Sequence, residues 1–350
     1  MTEQAKDGPA TTEELLSIRD LRVGFRKAGR TLDAVRGIDI EVRRGEVVGI
    51  VGESGSGKSV GMLAAIGLAA RNATVSGSVR FKGEELIGQP ARRMRRIRGA
   101  EIAMIFQDPL SSLNPVMTVG KQIAEAVLLH NPQMSKADAM KRAVALLALV
   151  AIPQPERRAA QYPHEFSGGM RQRAMIAMAV ANDPDLLVAD EPTTALDVTV
   201  QAQILEVLRS LRDRLGLGLI LITHDLGVLA GYADRVAVVY CGKIVEQATV
   251  FDLFDNPHHP YTRGLMASIP MLEESRDVLF SIPGAPPPLG KFPEGCAFHP
   301  RCTYATERCR QEEPVRRSVN GRLVACHFAG ELPAFEPNGA SATVNESESL

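Results

Sequence analysis

Gly52, Glu53, Ser54, Gly55, Ser56, Gly57, Lys58 and Ser59 stand in a row and match the pattern G-x-x-x-x-G-K-[ST]. The glycines let the backbone turn tightly and bring N–H groups close to phosphate oxygens. A helix starting here would add partial positive charge at its N-terminus. Lys58 can reach the β- and γ-phosphates of a nucleotide, and the Ser59 hydroxyl can ligate Mg²⁺. Further along, Leu186, Leu187, Val188 and Ala189 run into Asp190 and Glu191. An acid at the carboxyl end of a buried strand stands where parallel sheets place their ligands. Asp190 is expected to hold Mg²⁺, directly or through water, and Glu191 to orient and activate an attacking water. A third group is Cys296, Cys302, Cys309 and Cys326, with 5, 6 and 16 residues between them. Four thiolates can close a tetrahedral Zn²⁺ site or hold a [4Fe–4S] cluster. The spacing lacks the tight C-x₂-C pairs of most zinc sites. His299 and His327 stand close enough in sequence to substitute as ligands, although surface roles suit them better. Cys241 stands apart and reads as a small buried residue.

These residues need elements to position them. Strands are expected at Val47–Val51, Ile102–Phe106, Leu186–Ala189, Leu219–Thr223 and Val236–Tyr240, each short, apolar and bounded by Gly, Asp or Pro. Continuous apolar strands alternating with helical patterns predict a parallel sheet covered on both faces. Helices are expected at Val60–Ala70, at Ser135–Val150 with Ser135 as N-cap, at Ala174–Ala181, and at Val198–Arg214 with Val200, Ile204, Val207, Leu208 and Leu211 on one face. The run from Arg92 to Arg98 reads as a solvated helix face rather than a nucleic-acid contact. Residues 1–14 and 331–350 read as a disordered leader and tail. Beyond Pro257 the prolines cluster and four of the five cysteines appear, which marks a second module.

Forty Lys+Arg against 41 Asp+Glu leave a net charge of −1, which excludes a globally basic nucleic-acid coat. A hydrophobic fraction of 45% excludes a mostly disordered chain. No run approaches the ~18–20 apolar residues of a membrane-spanning helix, and the N-terminus lacks the features of a secretory signal. The expectation is a cytosolic chain with reduced thiols that attaches to a membrane protein without spanning the membrane itself.

Between the loop and the acidic pair lie Phe166, Ser167, Gly168, Gly169, Met170, Arg171, Gln172 and Arg173. This stretch resembles the signature motif of ABC-type ATPases, and further motifs follow in that family's order. Gln107 resembles the Q-loop glutamine, Ala195-Leu196-Asp197 the D-loop, and His224 the switch histidine. Phe25 stands where the family places an aromatic residue stacked on adenine. The resemblance implies an α/β fold: a P-loop nucleotide-binding domain with a RecA-like core, an antiparallel β portion and a helical subdomain. It also implies roles. Glu191, His224 and Gln107 would be catalytic. Phe25, Gly52, Ser54, Gly55, Gly57, Lys58, Ser59, Val60 and Asp190 would bind ATP, with Ser59, Asp190 and Gln107 around Mg²⁺. Ser167, Gly168 and Gly169 would close over ATP held by a second subunit, head to tail, with Asp197 in the D-loop. The signature usually carries Gln in its fourth place; Met170 cannot donate a side-chain hydrogen bond, while the Ser and Gly donors remain.

The single nucleotide motif, the short insertion after Gln107 and the lack of a spanning segment leave a separate subunit that docks on a membrane partner. The segment Asn256–Leu265, the Pro-rich stretch and the cysteines resemble the C-terminal extension of dipeptide/oligopeptide importer ATP-binding subunits. So does the segment Gln107–Pro115, which with the helical subdomain would receive the coupling helix of the partner. That resemblance implies an ATPase energising peptide import, working at the cytoplasmic face of the membrane. Its partners would be two transmembrane permease subunits, a paralogous ATPase subunit and an extracytoplasmic solute-binding protein, with no nucleic acid. It favours a [4Fe–4S] cluster over Zn²⁺ at the four cysteines. Related importers of nickel or glutathione, a non-transport ABC ATPase acting on nucleic acid, and a regulatory ATPase without turnover are the alternatives. The expected divisions are residues 1–14 (leader), 15–255 (nucleotide-binding domain, helical subdomain about 108–180), 256–330 (C-terminal module) and 331–350 (tail).

Overall fold

The computed structural model describes residues 13–27, 29–108, 112–194, 196–269 and 281–335. Its strands, in chain order, are β1 (Glu14–Lys27), β2 (Arg30–Arg43), β3 (Val47–Val51), β4 (Ala73–Phe81), β5 (Glu84–Glu85), β6 (Ile102–Ile105), β7 (Leu186–Asp190), β8 (Gly218–Thr223), β9 (Arg235–Tyr240), β10 (Lys243–Thr249), β11 (Arg317–Val319) and β12 (Arg322–Val324). They form two sheets. One is antiparallel, in the order β2-β1-β4-β5; the other has the order β11-β12-β10-β9-β3-β8-β7-β6. In the second, β9, β3, β8, β7 and β6 are parallel, as their apolar runs predict. Every residue of β3, β7 and β8 is buried. That burial is why these strands read as unbroken apolar runs rather than alternating ones.

Side chains of β3 divide between two cores with the two-residue period of a strand. Val47 and Val51 join the core under the helical subdomain. Val48 and Ile50 join the core shared with the antiparallel sheet. Helix α1 (Lys58–Ala65) follows β3 and buries Met62, Ala64 and Ala65 in that second core. Helix α2 (Ala91–Ile97) buries Met94 and Ile97 and turns arginines outward, so the basic run is a solvated face. The helical subdomain holds α3 (Val119–His130), α4 (Lys136–Leu149), α5 (Pro155–Ala159) and α6 (Gly168–Ala179). Ser135 caps α4, its Oγ accepting the Asp138 N–H at 3.1 Å. Helix α7 (Val198–Leu215) buries Ile204, Val207, Leu208 and Leu211 as one stripe, and ends at Gly216 with φ 63°. Helix α8 (Leu226–Ala230) follows β8, and α9 (Val250–Asp255), α10 (Pro260–Ala267) and α11 (Glu307–Gln311) belong to the C-terminal part. No helix among the described residues is long and apolar enough to cross a membrane.

Several boundaries differ from the sequence reading. The helix after the phosphate loop begins inside the motif at Lys58, and it ends at Ala65 because Gly67 turns the chain with φ 70°. The helix expected from Ala174 begins at Gly168, since Ser167 supplies its N-cap. The two longest strands, β1 and β2, escaped the search for apolar runs. Their buried stretches are interrupted by exposed and half-buried polar residues, and the pairing carries register shifts. Glu14 opens β1 opposite Arg43 and so belongs to the sheet rather than the leader; residues 1–12 lie outside the described residues. At the other end Glu331 closes a turn on Phe328, and Phe335 packs on the larger core, so the expected tail is ordered to residue 335. Residues 336–350 lie outside the described ones. The C-terminal module adds β12 to β10 and β11 to β12, extending the main sheet by backbone pairing.

Candidate functional site

The phosphate loop joins the carboxyl end of β3 to the first turn of α1. A Cβ added at Gly52 would stand 2.1 Å from the Val239 carbonyl oxygen, so only glycine fits there. Gly57 has φ 99°, and a Cβ there would meet the Ala34 carbonyl oxygen at 2.5 Å. Ser54 and Gly55 form the exposed lip of the loop, while Val60 is half-buried against the second core. Lys58 is 6% exposed and folds back into the loop. Its Nζ donates to the carbonyl oxygens of Gly52 at 2.6 Å and Glu53 at 3.0 Å. Burial pushes its pKa down, with the carboxylates of Glu191, Asp190 and Glu53 pulling the other way.

Strand β7 carries Asp190 to the same place. Its Oδ1 accepts the Ser59 hydroxyl at 2.8 Å. Burial pushes the Asp190 carboxyl up; Glu191 adds to that, while Ser59 and Lys58 oppose it. Two hard oxygen donors side by side are the donor set that Mg²⁺ prefers. Glu191 sits just past the strand with φ 46°, in the left-handed region, and its N–H donates to the Ile222 carbonyl at 2.9 Å. That conformation costs on the order of 1 kcal/mol and aims the carboxylate across the end of the sheet. Glu191 Oε2 gathers three groups: Gln107 Nε2 at 2.9 Å, Thr194 Oγ1 at 2.9 Å and His224 Nδ1 at 3.4 Å. The strand ends of β6, β7 and β8 thus bring the three expected catalytic residues to one carboxylate oxygen. Thr194 was not singled out in the sequence. Its place three residues after Glu191 is the only signal it offered.

The signature residues form a second group. Ser167 caps α6, its Oγ accepting the Met170 N–H at 3.4 Å. A Cβ on Gly169 would stand 2.6 Å from Val200 Cγ1, so α6 packs tightly on the start of α7. Asp197 caps α7 by accepting the Val200 N–H at 2.9 Å. Ala195 of the expected D-loop lies outside the described residues, as do residues 109–111 of the expected docking segment. Met170 is half-buried against the larger core, which gives its apolar side chain a packing role. Phe25 lies in β1 opposite Leu32 and Ala73, half-buried at the edge of the second core.

The four cysteines of the C-terminal module line one cavity, together with His259, Phe298, His299 and His327. Burial pushes the Cys302 thiol up to about 12 and the Cys326 thiol up to about 11, and raises that of Cys296. The neighbouring thiols push each of these three further up. The structure therefore brings the sequence-expected cysteines together. However, among the described residues no group of three or more His, Cys, Asp or Glu is arranged to hold a metal ion. The rings of His299 and His327 are engaged by the carbonyl oxygens of Cys296 and Glu312, at 3.0 Å and 2.9 Å. Cys241 is buried and stands outside this cavity lining.

Comparison with known proteins follows the same division of the chain. A family model described as ABC transporter matches residues 35–194, and one described as oligopeptide/dipeptide transporter, C-terminal region, matches residues 245–309. The oligopeptide transport ATP-binding protein OppD of Mycobacterium tuberculosis is 54% identical over 301 residues, which are 86% of this chain and 49% of that protein. The chain thus spans about half the length of that relative. It spans nearly all of two others. A putative peptide import ATP-binding protein of Brucella abortus is 49% identical over 90% of this chain and 95% of its own length. OppD of Salmonella typhimurium is 47% identical over 93% and 97%. Among solved structures, the dimeric post-hydrolysis state of the ATP-binding cassette MJ0796 with ADP and Pi matches with a TM-score of 0.61 and 26% identity, over 67% of this chain and 99% of that one. CbiO1 from Clostridium perfringens, part of the ABC transporter complex cbiONQ, matches with a TM-score of 0.59 and 26% identity, over 69% and 91%. The chain belongs to the ABC transporter family of ATP-binding proteins, and it carries the C-terminal region of the oligopeptide/dipeptide transporters.

Proposed function

We propose that this chain hydrolyses ATP to drive an importer of dipeptides or oligopeptides. The observation that carries the reading is the convergence on Glu191. One carboxylate oxygen collects Gln107, Thr194 and His224, and the adjoining Asp190 is bonded to Ser59 of the phosphate loop. Glu191 accepts the proton of the attacking water through its other oxygen, while Gln107 and His224 hold it in line. Lys58 leaves the carbonyl oxygens of Gly52 and Glu53 for the phosphates, and Phe25 stacks on the adenine. Ser59, Asp190 and Gln107 would hold Mg²⁺, which supplies charge neutralisation at the phosphate oxygens. Gly52, Ser54, Gly55, Gly57 and Val60 shape the loop around the phosphates.

Ser167, Gly168 and Gly169, at the positive end of α6, meet the γ-phosphate held by a second, paralogous subunit, head to tail, with Asp197 at the seam. Two permease subunits and an extracytoplasmic solute-binding protein complete the importer, and the chain works peripherally at the cytoplasmic face of the membrane. Residues 15–255 serve as the nucleotide-binding domain, with 108–180 as its helical subdomain and 256–330 as the C-terminal module. Cys296, Cys302, Cys309 and Cys326 would be the ligands of a [4Fe–4S] cluster in preference to Zn²⁺. The support is four soft sulfur donors lining one cavity, which His299 and His327 also line while each engages a backbone carbonyl oxygen through one ring nitrogen.

The test of transport is a vesicle assay with co-expressed permease subunits. Peptide-stimulated phosphate release that disappears in Glu191→Gln supports the reading. Hydrolysis by the lone chain that responds to DNA or RNA and not to peptide refutes it. Iron and sulfide near four each per chain, after purification without oxygen, would support the cluster; one zinc and no iron would refute it.

A further inference from the structure

We infer that Arg301 and Tyr261 are positioning residues for nucleotide binding, through which the C-terminal module fixes the phosphate loop at Glu53. The inference rests on the proposed role of that loop in holding ATP. Glu53 occupies a variable place in the loop pattern, so nothing in the sequence assigns it a partner. In the structure its carboxylate receives the Arg301 guanidinium as a fork, with N···O distances of 2.7 Å and 2.9 Å. Arg301 is 248 residues away in sequence and its side chain is 4% exposed.

The guanidinium is also held by partners other than Glu53. Its Nε donates to the Pro283 carbonyl at 2.9 Å, and its two terminal nitrogens reach the Tyr240 hydroxyl and the Ile282 carbonyl, each at 3.4 Å. A rigid fork whose other donors are engaged sets both the distance and the plane of the carboxylate it meets. The backbone of Glu53 is held as well, its N–H donating to the Tyr261 hydroxyl at 2.8 Å. Tyr261 is fully buried in α10 and packs against Tyr240 and Phe298. Side chain and backbone of one loop residue are therefore both fixed by residues beyond the phosphate-binding core.

Glu53 in turn stands one bond from the lysine that meets the phosphates. Its carbonyl accepts Lys58 Nζ at 3.0 Å and the Ser56 N–H at 3.2 Å. A shift of Glu53 moves both. The turn that carries Arg301 runs from Cys296 to Cys302, with the His299 N–H bonded to the Cys296 carbonyl. One side chain thus links the wall of the thiol cavity to the phosphate loop.

The test uses the full chain and a fluorescent ATP analogue with Mg²⁺, read as a dissociation constant, beside the melting temperature without nucleotide. Arg301→Gln and Glu53→Gln are each expected to weaken binding about tenfold, as loss of a charge-assisted fork allows. The double variant should bind about as weakly as either single one. Tyr261→Phe should weaken binding by a smaller factor, and Arg301→Lys should recover part of the loss. Turnover of Arg301→Gln at saturating ATP should stay within about twofold of wild type, since Arg301 does not reach the attacking water. Arg301→Gln binding within about twofold of wild type, at a lowered melting temperature, would reduce the contact to a structural one and overturn the inference. If Arg301→Gln fails to fold, Glu53→Gln decides from the loop side, and unchanged affinity there also overturns it. A wild-type chain that binds no nucleotide would instead remove the ATP reading itself.

Discussion

Replacing Glu191 by Gln tests the catalytic arrangement at its centre. The substitution keeps the side-chain volume and exchanges one carboxylate oxygen for an NH₂. In the structure Oε2 accepts from Gln107 and Thr194, both at 2.9 Å. The amide oxygen of a Gln can keep both bonds. Its NH₂ then takes the place of Oε1, the oxygen left for the water, and an amide nitrogen cannot accept the proton. The web around residue 191 therefore survives while the base is lost. General-base catalysis contributes roughly 10²–10⁴ in rate. The corresponding rise in barrier is ~2.7–5.4 kcal/mol.

Two measurements on one preparation separate the outcomes. Phosphate release by Glu191→Gln should fall by roughly 10²–10⁴. Binding of the fluorescent ATP analogue should stay within about threefold of wild type, because the groups that hold Lys58 and the loop are untouched. Glu191→Ala should do worse on both counts, since it also strips Gln107, Thr194 and His224 of their shared acceptor. Retention of a tenth or more of wild-type turnover by Glu191→Gln would place the base elsewhere and refute the argument from convergence.

The remaining expectations concern the loop and the C-terminal module. Gly52→Ala sets a methyl against the Val239 carbonyl, 2.1 Å away, so nucleotide binding should be lost while the circular dichroism spectrum changes little; tight binding would contradict the packing argument. Glu246 is fully buried and accepts the N–H groups of His258 at 2.7 Å and His259 at 2.9 Å. Glu246→Ala leaves both donors unpaired and should cost about 2–5 kcal/mol in urea unfolding, whereas a loss below ~1 kcal/mol would show that the module relaxes around the gap. Burial pushes the pKa of His259 down to about 3, from 6.5. Between those values the unfolded chain binds a proton that the folded chain refuses. The contribution is therefore complete above pH 6.5 and is lost as pH falls toward 3, by up to ~1.4 kcal/mol per unit. His259→Asn keeps an acceptor for the Tyr261 N–H and should flatten that slope; equal slopes in the two proteins would count against the assignment.

Much of the nucleotide site could be read from the sequence because its parts are local. A glycine loop, an acidic pair and a strand-ending histidine each follow a buried strand, and burial on both faces leaves an apolar run that is hard to miss. Strands β3, β6, β7, β8 and β9 were legible for that reason. The antiparallel sheet was not, since β1 and β2 mix buried with exposed polar residues and are broken by register shifts. Family resemblance implied it; periodicity did not. The cavity of four cysteines was legible as a cluster of donors, but its shape depends on long-range packing. Arg301 gave no signal, and Tyr261 stood in the segment Asn256–Leu265 with nothing to tie it to the phosphate loop. A contact between residues 53 and 301 depends on a fold that returns the chain to β10 and then to the end of β3. No local pattern encodes that return.

The polar groups of the site satisfy one another. Lys58 is bonded to its own loop, Ser59 to Asp190, and Gln107 to Glu191. For the buried Lys58 and Asp190, standing unpaired would cost each ~1–3 kcal/mol, so these bonds hold the site together. ATP must then replace partners rather than fill vacancies. Lys58 trades two carbonyl oxygens for phosphate, and the Ser59–Asp190 pair opens toward a cation. Net affinity is the difference between the two sets of bonds. Small changes in how firmly the loop holds Lys58 are therefore felt directly in binding. Glu53 carries one of the two carbonyls that hold Lys58, and Arg301 and Tyr261 hold Glu53. The C-terminal module thus holds the loop in the shape that must still receive the phosphates once Lys58 has left Glu53, which is how a module outside the loop can raise nucleotide affinity without entering the chemistry.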